Sequence, residues 1–163
     1  MLLGDITGNW SPAGLASALT TTSAGAPTLS LTPGRADANG DVIAILRFDP
    51  GQTPVRSLDL SLAYDPTAAT AVAVNAGPLA RKMLVQANLG EPGRIRLALA
   101  AALPLATDSG AGDLLALRFH LTDPAAAPTL ALQAAAVNEA ATMLNWQARP
   151  IRIFGAHLPM VGR

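Results

Sequence analysis

The side chains able to move protons or hold metals are few: nine aspartates, two glutamates, two histidines, one lysine and no cysteine. Without cysteine there is no thiol nucleophile, no disulfide and no zinc-thiolate site, and protein-based redox chemistry is excluded with them. Both glutamates, Glu91 and Glu139, fall in segments that read as turns. An opposed carboxylate pair for glycoside hydrolysis must therefore come mainly from aspartates, and no two stand in a distinctive setting. No GxSxG elbow, HExxH helix or phosphate loop occurs. The run Asp37-Ala38-Asn39-Gly40-Asp41 places oxygen ligands at alternate positions, as an EF-hand-like calcium loop begins. Counting from Asp37, however, the twelfth position is Phe48 where such a loop needs a bidentate Glu, and a strand follows in place of a helix. Asn-Gly is itself a strong turn former, so this run reads as a turn, and neither metal nor cofactor is expected. His120 lies near a strand end and reads as a surface histidine. Asp59 is the carboxylate that asks for an explanation, because it interrupts the middle of an alternating apolar run and aspartate is depleted in strand interiors. With no acid or base at a defined spacing to partner it, binding is preferred over catalysis and the chain is read as a non-enzyme.

The elements that must position Asp59 follow from length and pattern. A chain of 163 residues suffices for one packed domain, and a domain of that size buries roughly 70% of its unfolded surface. Eleven basic and eleven acidic residues cancel, which leaves no electrostatic footprint for nucleic acid or an anionic membrane. Half the residues are hydrophobic, yet every apolar run falls short of the ~18 residues of a membrane helix, so membrane insertion is not expected. Met1-Leu2-Leu3-Gly4-Asp5 lacks the basic start and apolar stretch of a signal peptide, so any export signal is expected outside the chain.

Residues 11–27, SPAGLASALTTTSAGAP, are small and polar without apolar periodicity and read as a linker, with an arm at 1–10 before it whose one large anchor is Trp10. From residue 28 the pattern changes to short alternating runs divided by Gly, Pro, Asn and Asp. In 55–64 the residues Leu58, Leu60, Leu62 and Tyr64 share one face while Ser57, Asp59, Ser61 and Ala63 share the other. In 94–101 Ile95, Leu97 and Leu99 oppose Arg94, Arg96, Ala98 and Ala100; in 113–121 Leu115, Leu117, Phe119 and Leu121 oppose Leu114, Ala116, Arg118 and His120. Further strands are expected at 28–31, 42–48, 71–75, 83–88, 129–134 and 150–154, about nine in all. Asp49-Pro50-Gly51, Asp65-Pro66, Glu91-Pro92-Gly93, Asp108-Ser109-Gly110 and Asp123-Pro124 supply the turns. The alanines of 134–141 have helical propensity and leave that stretch open between helix and strand. The expected fold is an all-β sandwich with its body at 28–155 and a short tail at 156–163.

Several of these segments together resemble a cohesin module: Leu29 to Leu31, Pro33-Gly34, the strand at 42–48, SLDLSLAYDPTAATAVAV at 57–74, GEPGRIRLALA at 90–100, DSGAGDLLALRF at 108–119, and Asn138-Glu139. The likeness covers residues 28–154, and its most specific element is the alternating strand that ends in Tyr64-Asp65-Pro66. It implies a nine-stranded jelly-roll, immunoglobulin-like β-sandwich that binds a calcium-loaded dockerin module, the calcium being carried by the dockerin. It also implies assembly of polysaccharide-degrading or cell-surface complexes, hence an extracellular or cell-surface location. The family's dockerins lie across the sheet containing the third, fifth, sixth and eighth strands. Carried onto this chain, that implies Ser57 and Asp59 on the third strand, Arg96, Ala98 and Ala100 on the sixth, and Gln86 and Asn88, beside Leu84, on the fifth. Residues 2–10, LLGDITGNW, are similar to the tail that follows a dockerin in some bacterial extracellular proteins.

Two rival functions stand beside this one. A carbohydrate-binding sandwich, with polysaccharide as partner, needs several Trp or Tyr on one exposed face. Tyr64 has core parity, Trp10 precedes the linker, Trp146 stands alone near the last strand, and Phe48 and Phe119 are expected inward. A structural spacer in a long surface protein needs no binding face at all.

Overall fold

A strand whose alternate side chains are apolar hides one face only by lying against a second sheet, and that requirement shapes this molecule. The computed structural model describes residues 25–32, 34, 41–105, 110–122, 129–141 and 144–147. In chain order these form β1 (Thr28–Thr32), β2 (Asp41–Asp49), β3 (Val55–Ala63), β4 (Ala69–Ala76), a 3-10 turn (Pro78–Ala80), β5 (Met83–Asn88), β6 (Arg94–Leu105), β7 (Gly112–Leu121), β8 (Ala131–Val137), β9 (Ala140–Ala141) and β10 (Asn145–Gln147). Two five-stranded sheets result, ordered β10-β1-β2-β7-β4 and β5-β6-β3-β8-β9. The pairings are antiparallel except β1 with β10. This is the all-β sandwich that the alternation implied, with about nine strands expected and the two-residue β9 completing a hairpin with β8. The expected arm at 1–10 with Trp10, the linker up to residue 24, the strand at 150–154 and the tail at 156–163 lie outside the described residues.

One core joins both sheets. Leu29, Leu31, Leu46, Phe48, Leu115, Leu117 and Phe119 from the first sheet meet Leu58, Leu60, Leu62, Ile95, Leu97 and Leu99 from the second, all buried as their parity required. Tyr64 seals one end. Its ring meets Phe119 edge-on, with centroids 5.5 Å apart, and its hydroxyl accepts the Ala71 N–H at 3.2 Å, where the β4–β7 register slips between Ala71 and Ala73. The following Asp65 takes the Thr67 N–H at 2.9 Å and the Thr67 hydroxyl at 2.7 Å. These hydrogen bonds hold its carboxyl below the ordinary value. Tyr64-Asp65-Pro66 is thus a corner that builds the fold. Gly93 serves the same corner: its carbonyl accepts the Tyr64 N–H at 2.9 Å, and at φ +81° an added Cβ would come within 3.1 Å of the Tyr64 oxygen.

The structure corrects the sequence reading at two places. Leu114, assigned to the face opposite Leu115, is as fully buried as Leu115. A bulge is the cause: Leu46 pairs with Leu115 and Arg47 with Asp113, so Leu114 is the extra residue and turns inward. The chain packs closely there, since the Leu114 carbonyl accepts the Gly77 N–H at 2.7 Å and a Cβ on Gly77 would lie 2.3 Å from the Asp113 oxygen. The strand expected at 129–134 lies at Ala131–Val137, and the ambiguous alanines form strand and hairpin. Pairing with β3 overrides their helical propensity. The hairpin turn needs left-handed backbone at both central residues, and Asn138 (φ 52°) and Glu139 (φ 66°) adopt it. His120 is the surface histidine expected near a strand end, and its Nδ1 lies 2.8 Å from Asp41 Oδ1.

Candidate binding face

The expected site residues lie on one surface, the outer face of β5-β6-β3-β8. Residues directly opposite in neighbouring strands share a face, so the registers define three rows across it. Leu84, Ala100 and Ser57 form the first; Gln86, Ala98, Asp59 and Ala136 the second; Asn88, Arg96, Ser61 and Ala134 the third. All seven expected residues, Ser57, Asp59, Gln86, Asn88, Arg96, Ala98 and Ala100, therefore fall in adjacent rows. The topology brings together two segments, 57–59 and 86–100, that the chain separates.

The relief of this face is set by side-chain length. Ala98 and Ala100 make a low floor on β6, with the longer Leu84, Gln86 and Asn88 along one side and Ser57, Asp59 and Ser61 along the other. Strands are ~4.8 Å apart, so the two walls stand about 10 Å apart. That is close to the ~10–12 Å diameter of an α-helix with its side chains. Leu84 is 74% exposed and Leu103, at the same end of the sheet, 79%. Leu103 belongs to an irregular stretch of β6, where Val55 pairs with Leu105 but Ser57 already pairs with Ala100.

Several of these groups are held in place by partners that the sequence reading did not assign. Glu91 bridges two arginines, its Oε1 3.0 Å from Arg94 Nη1 and its Oε2 3.1 Å from Arg96 Nη2, which anchors the Arg96 guanidinium at one end of the face. Asn88 Oδ1 accepts the Gly90 N–H at 2.9 Å. Its acceptor serves the local turn. Asn138 braces the other end: Oδ1 accepts the N–H groups of Arg56 and Ser57 at 2.7 and 3.3 Å, and Nδ2 donates to the Pro54 carbonyl at 2.8 Å. The β3–β6 register is irregular over the same stretch, between Val55 and Ser57. Among the described residues no hydrogen bond or ion pair engages the Asp59 carboxylate. It presents acceptor capacity at the centre of the middle row.

The outer face of the other sheet is different. There Arg47 pairs with Asp113 at 3.1 Å, and Asp41, only 7% exposed, receives Arg118 at 2.7 Å and His120 at 2.8 Å. The His120 hydrogen bond, then that of Arg118, holds the Asp41 carboxyl below the ordinary value. Of the calcium-like run only Asp41 is described, and its carboxylate serves this cluster. No group of three metal-ligating side chains occurs among the described residues. Nor do they carry the aromatic strip that sugar stacking requires, since Tyr64, Phe48 and Phe119 are buried and Trp146, on β10, packs against the core. No described helix is long and apolar enough to cross a membrane.

Neither a protein-family model nor a curated protein matches the sequence. Solved structures do match. A non-cellulosomal cohesin from the hyperthermophilic archaeon Archaeoglobus fulgidus aligns with a TM-score of 0.64 at 19% identity, over 80% of this chain and 93% of that one. The cohesin module of a family 33 glycoside hydrolase from Clostridium perfringens aligns with a TM-score of 0.62 at 19% identity, over 81% and 98%. The third cohesin of ScaC from Acetivibrio cellulolyticus, solved in complex with the ScaB dockerin, aligns with a TM-score of 0.62 at 14% identity, over 80% and 100%. The chain has the cohesin fold.

Proposed function

We propose that this chain is a non-catalytic docking module whose β5-β6-β3-β8 face binds a calcium-loaded dockerin. The observation that carries the reading is the alanine floor of Ala98 and Ala100 between two polar walls, a seat of helix width with the unengaged Asp59 at its centre. Cohesins of the same fold were solved in complex with dockerins, which supports the partner class. Ser57 and Asp59 supply directional acceptors on one wall, Gln86 and Asn88 amide donors on the other, and Arg96 a flanking charge. Small side chains on β6 let a partner helix approach closely. The calcium belongs to the dockerin, so metal dependence is inherited from the partner. In this role the module assembles extracellular or cell-surface complexes, including those that degrade polysaccharides. Titration calorimetry against dockerins encoded in the same genome tests it, first in calcium and then in chelator. Binding in calcium that disappears in chelator is the expected result. Failure of every dockerin, together with sedimentation on insoluble cellulose, transfers the function to carbohydrate binding.

A further inference from the structure

The chain is neutral overall, and the described residues are neutral too, with seven Arg or Lys against seven Asp or Glu. The two sheets divide this charge unequally. With its turns, the sheet β5-β6-β3-β8-β9 holds Arg56, Arg81, Lys82, Arg94 and Arg96 against Asp59, Asp65, Glu91 and Glu139. The opposite sheet holds Arg47 and Arg118 against Asp41, Asp49 and Asp113. Within the candidate face the cations are not spread evenly either. At the Arg96 end, Glu91 is shared by two arginines and offsets half of their charge. At the Leu84 end, Arg81 and Lys82 directly precede β5 and Arg56 is the second residue of β3; all three are exposed, among the described residues none has an ion-pair partner, and they outnumber the one acid there, Glu139 in the β8–β9 turn. Strands β5 and β3 run in the same direction, so these cations flank the row Leu84, Ala100 and Ser57 from both sides.

We infer that the face binds its partner in one orientation, with an acidic surface of the partner over the Leu84 end, drawn there by Arg56, Arg81 and Lys82. This rests on the dockerin reading above and adds the charge and direction of the partner. Unpaired surface charges of one sign steer association, and their effect appears mainly in the on-rate and fades with salt. Asp59, the lone anion of the central row, then marks where the acidic part of the partner must end.

The test uses a dockerin that binds the wild type, its association rate measured in 50 and 500 mM NaCl, ~14 and ~4 Å in Debye length. The rate is expected to fall about tenfold between the two salts, and the double variant Arg56→Glu/Lys82→Glu to lose about tenfold at low salt and little at high salt. Arg56→Gln/Lys82→Gln should lose less, and Arg47→Glu, an equal charge change on the opposite sheet, should leave the rate unchanged. Lys82 is the only lysine in the chain, so acylation of its amine should be blocked in the complex. A salt-independent rate, a faster double variant or a fully reactive Lys82 in the complex overturns the inference while leaving the dockerin reading intact. Absence of binding to any dockerin at low salt overturns both.

Discussion

The two outer faces of this sandwich are built from similar strands and treat their polar side chains in opposite ways. On β2 and β7, Asp41, Arg118 and His120 satisfy one another, as do Arg47 and Asp113. On β3, β5 and β6, the Asp59 carboxylate has no engagement among the described residues and the groups around it rise from an alanine floor. Polar groups that pair internally have spent their hydrogen-bonding capacity on the fold, whereas unpaired ones on a shallow, small-residue surface keep it for a partner. On the proposed reading, the binding face is marked by its unengaged groups more than by its charge count.

The comparison depends on both faces sharing one core, and the most severe way to break it is to remove that core. Leu60→Ala, at a side chain 3% exposed, is expected to cost about 2 to 5 kcal/mol. Chemical denaturation should show the whole module losing stability in one transition, with both faces lost together. Asp59→Ala sharpens the contrast: it should weaken dockerin binding by about 1 to 3 kcal/mol by leaving a donor unpaired on the partner, with the melting temperature unchanged. Arg118→Ala should do the reverse, lowering the melting temperature and leaving calorimetric affinity untouched. An intermediate effect is expected where fold and face meet. Asn138→Ala removes three hydrogen bonds to the Pro54–Ser57 backbone and puts a side chain unsuited to left-handed backbone at φ 52°. About 1 to 2 kcal/mol of stability should be lost, accompanied by weaker binding as Ser57 shifts.

The smallest expected effect is that of acid on the paired face. Because the Asp41 carboxyl is held below its ordinary value of 3.8 in the folded state, the unfolded chain binds its proton first. The cluster therefore contributes stability above that value and loses it as pH falls through the lower folded one. Asp41→Asn should flatten this part of the pH–stability curve. Thermal melts between pH 2 and 6, a window spanning the ordinary carboxylate range, check this.

Much of this was legible in the residues. Strand alternation is local, so the run from Leu58 to Tyr64 and the run from Ile95 to Leu99 declared their buried faces, and with them the outward positions of Ser57, Asp59, Arg96, Ala98 and Ala100. Other features depend on distant neighbours. Nothing within 134–141 distinguishes a helix from a strand, and pairing with β3 decides it. The inward turn of Leu114 follows from a bulge against β2, and the Asp41–His120 contact joins residues 79 apart in sequence. Net charge behaves in the same way. A sum of zero excludes a large single-sign field but says nothing about how charge is divided between two sheets.

By itself, then, the sequence determined which side chains each strand hides and which it shows, because a period of two is a property of consecutive residues. Tertiary structure alone decided which strands lie side by side. The order β5-β6-β3-β8 turns outward residues from four separate segments into rows, and it sets Gln86 across Ala98 from Asp59 and Glu91 against Arg96. The physical reason is that hydrogen-bonded register is fixed between strands and not along them, so adjacency on a sheet face is written in no single segment of the chain.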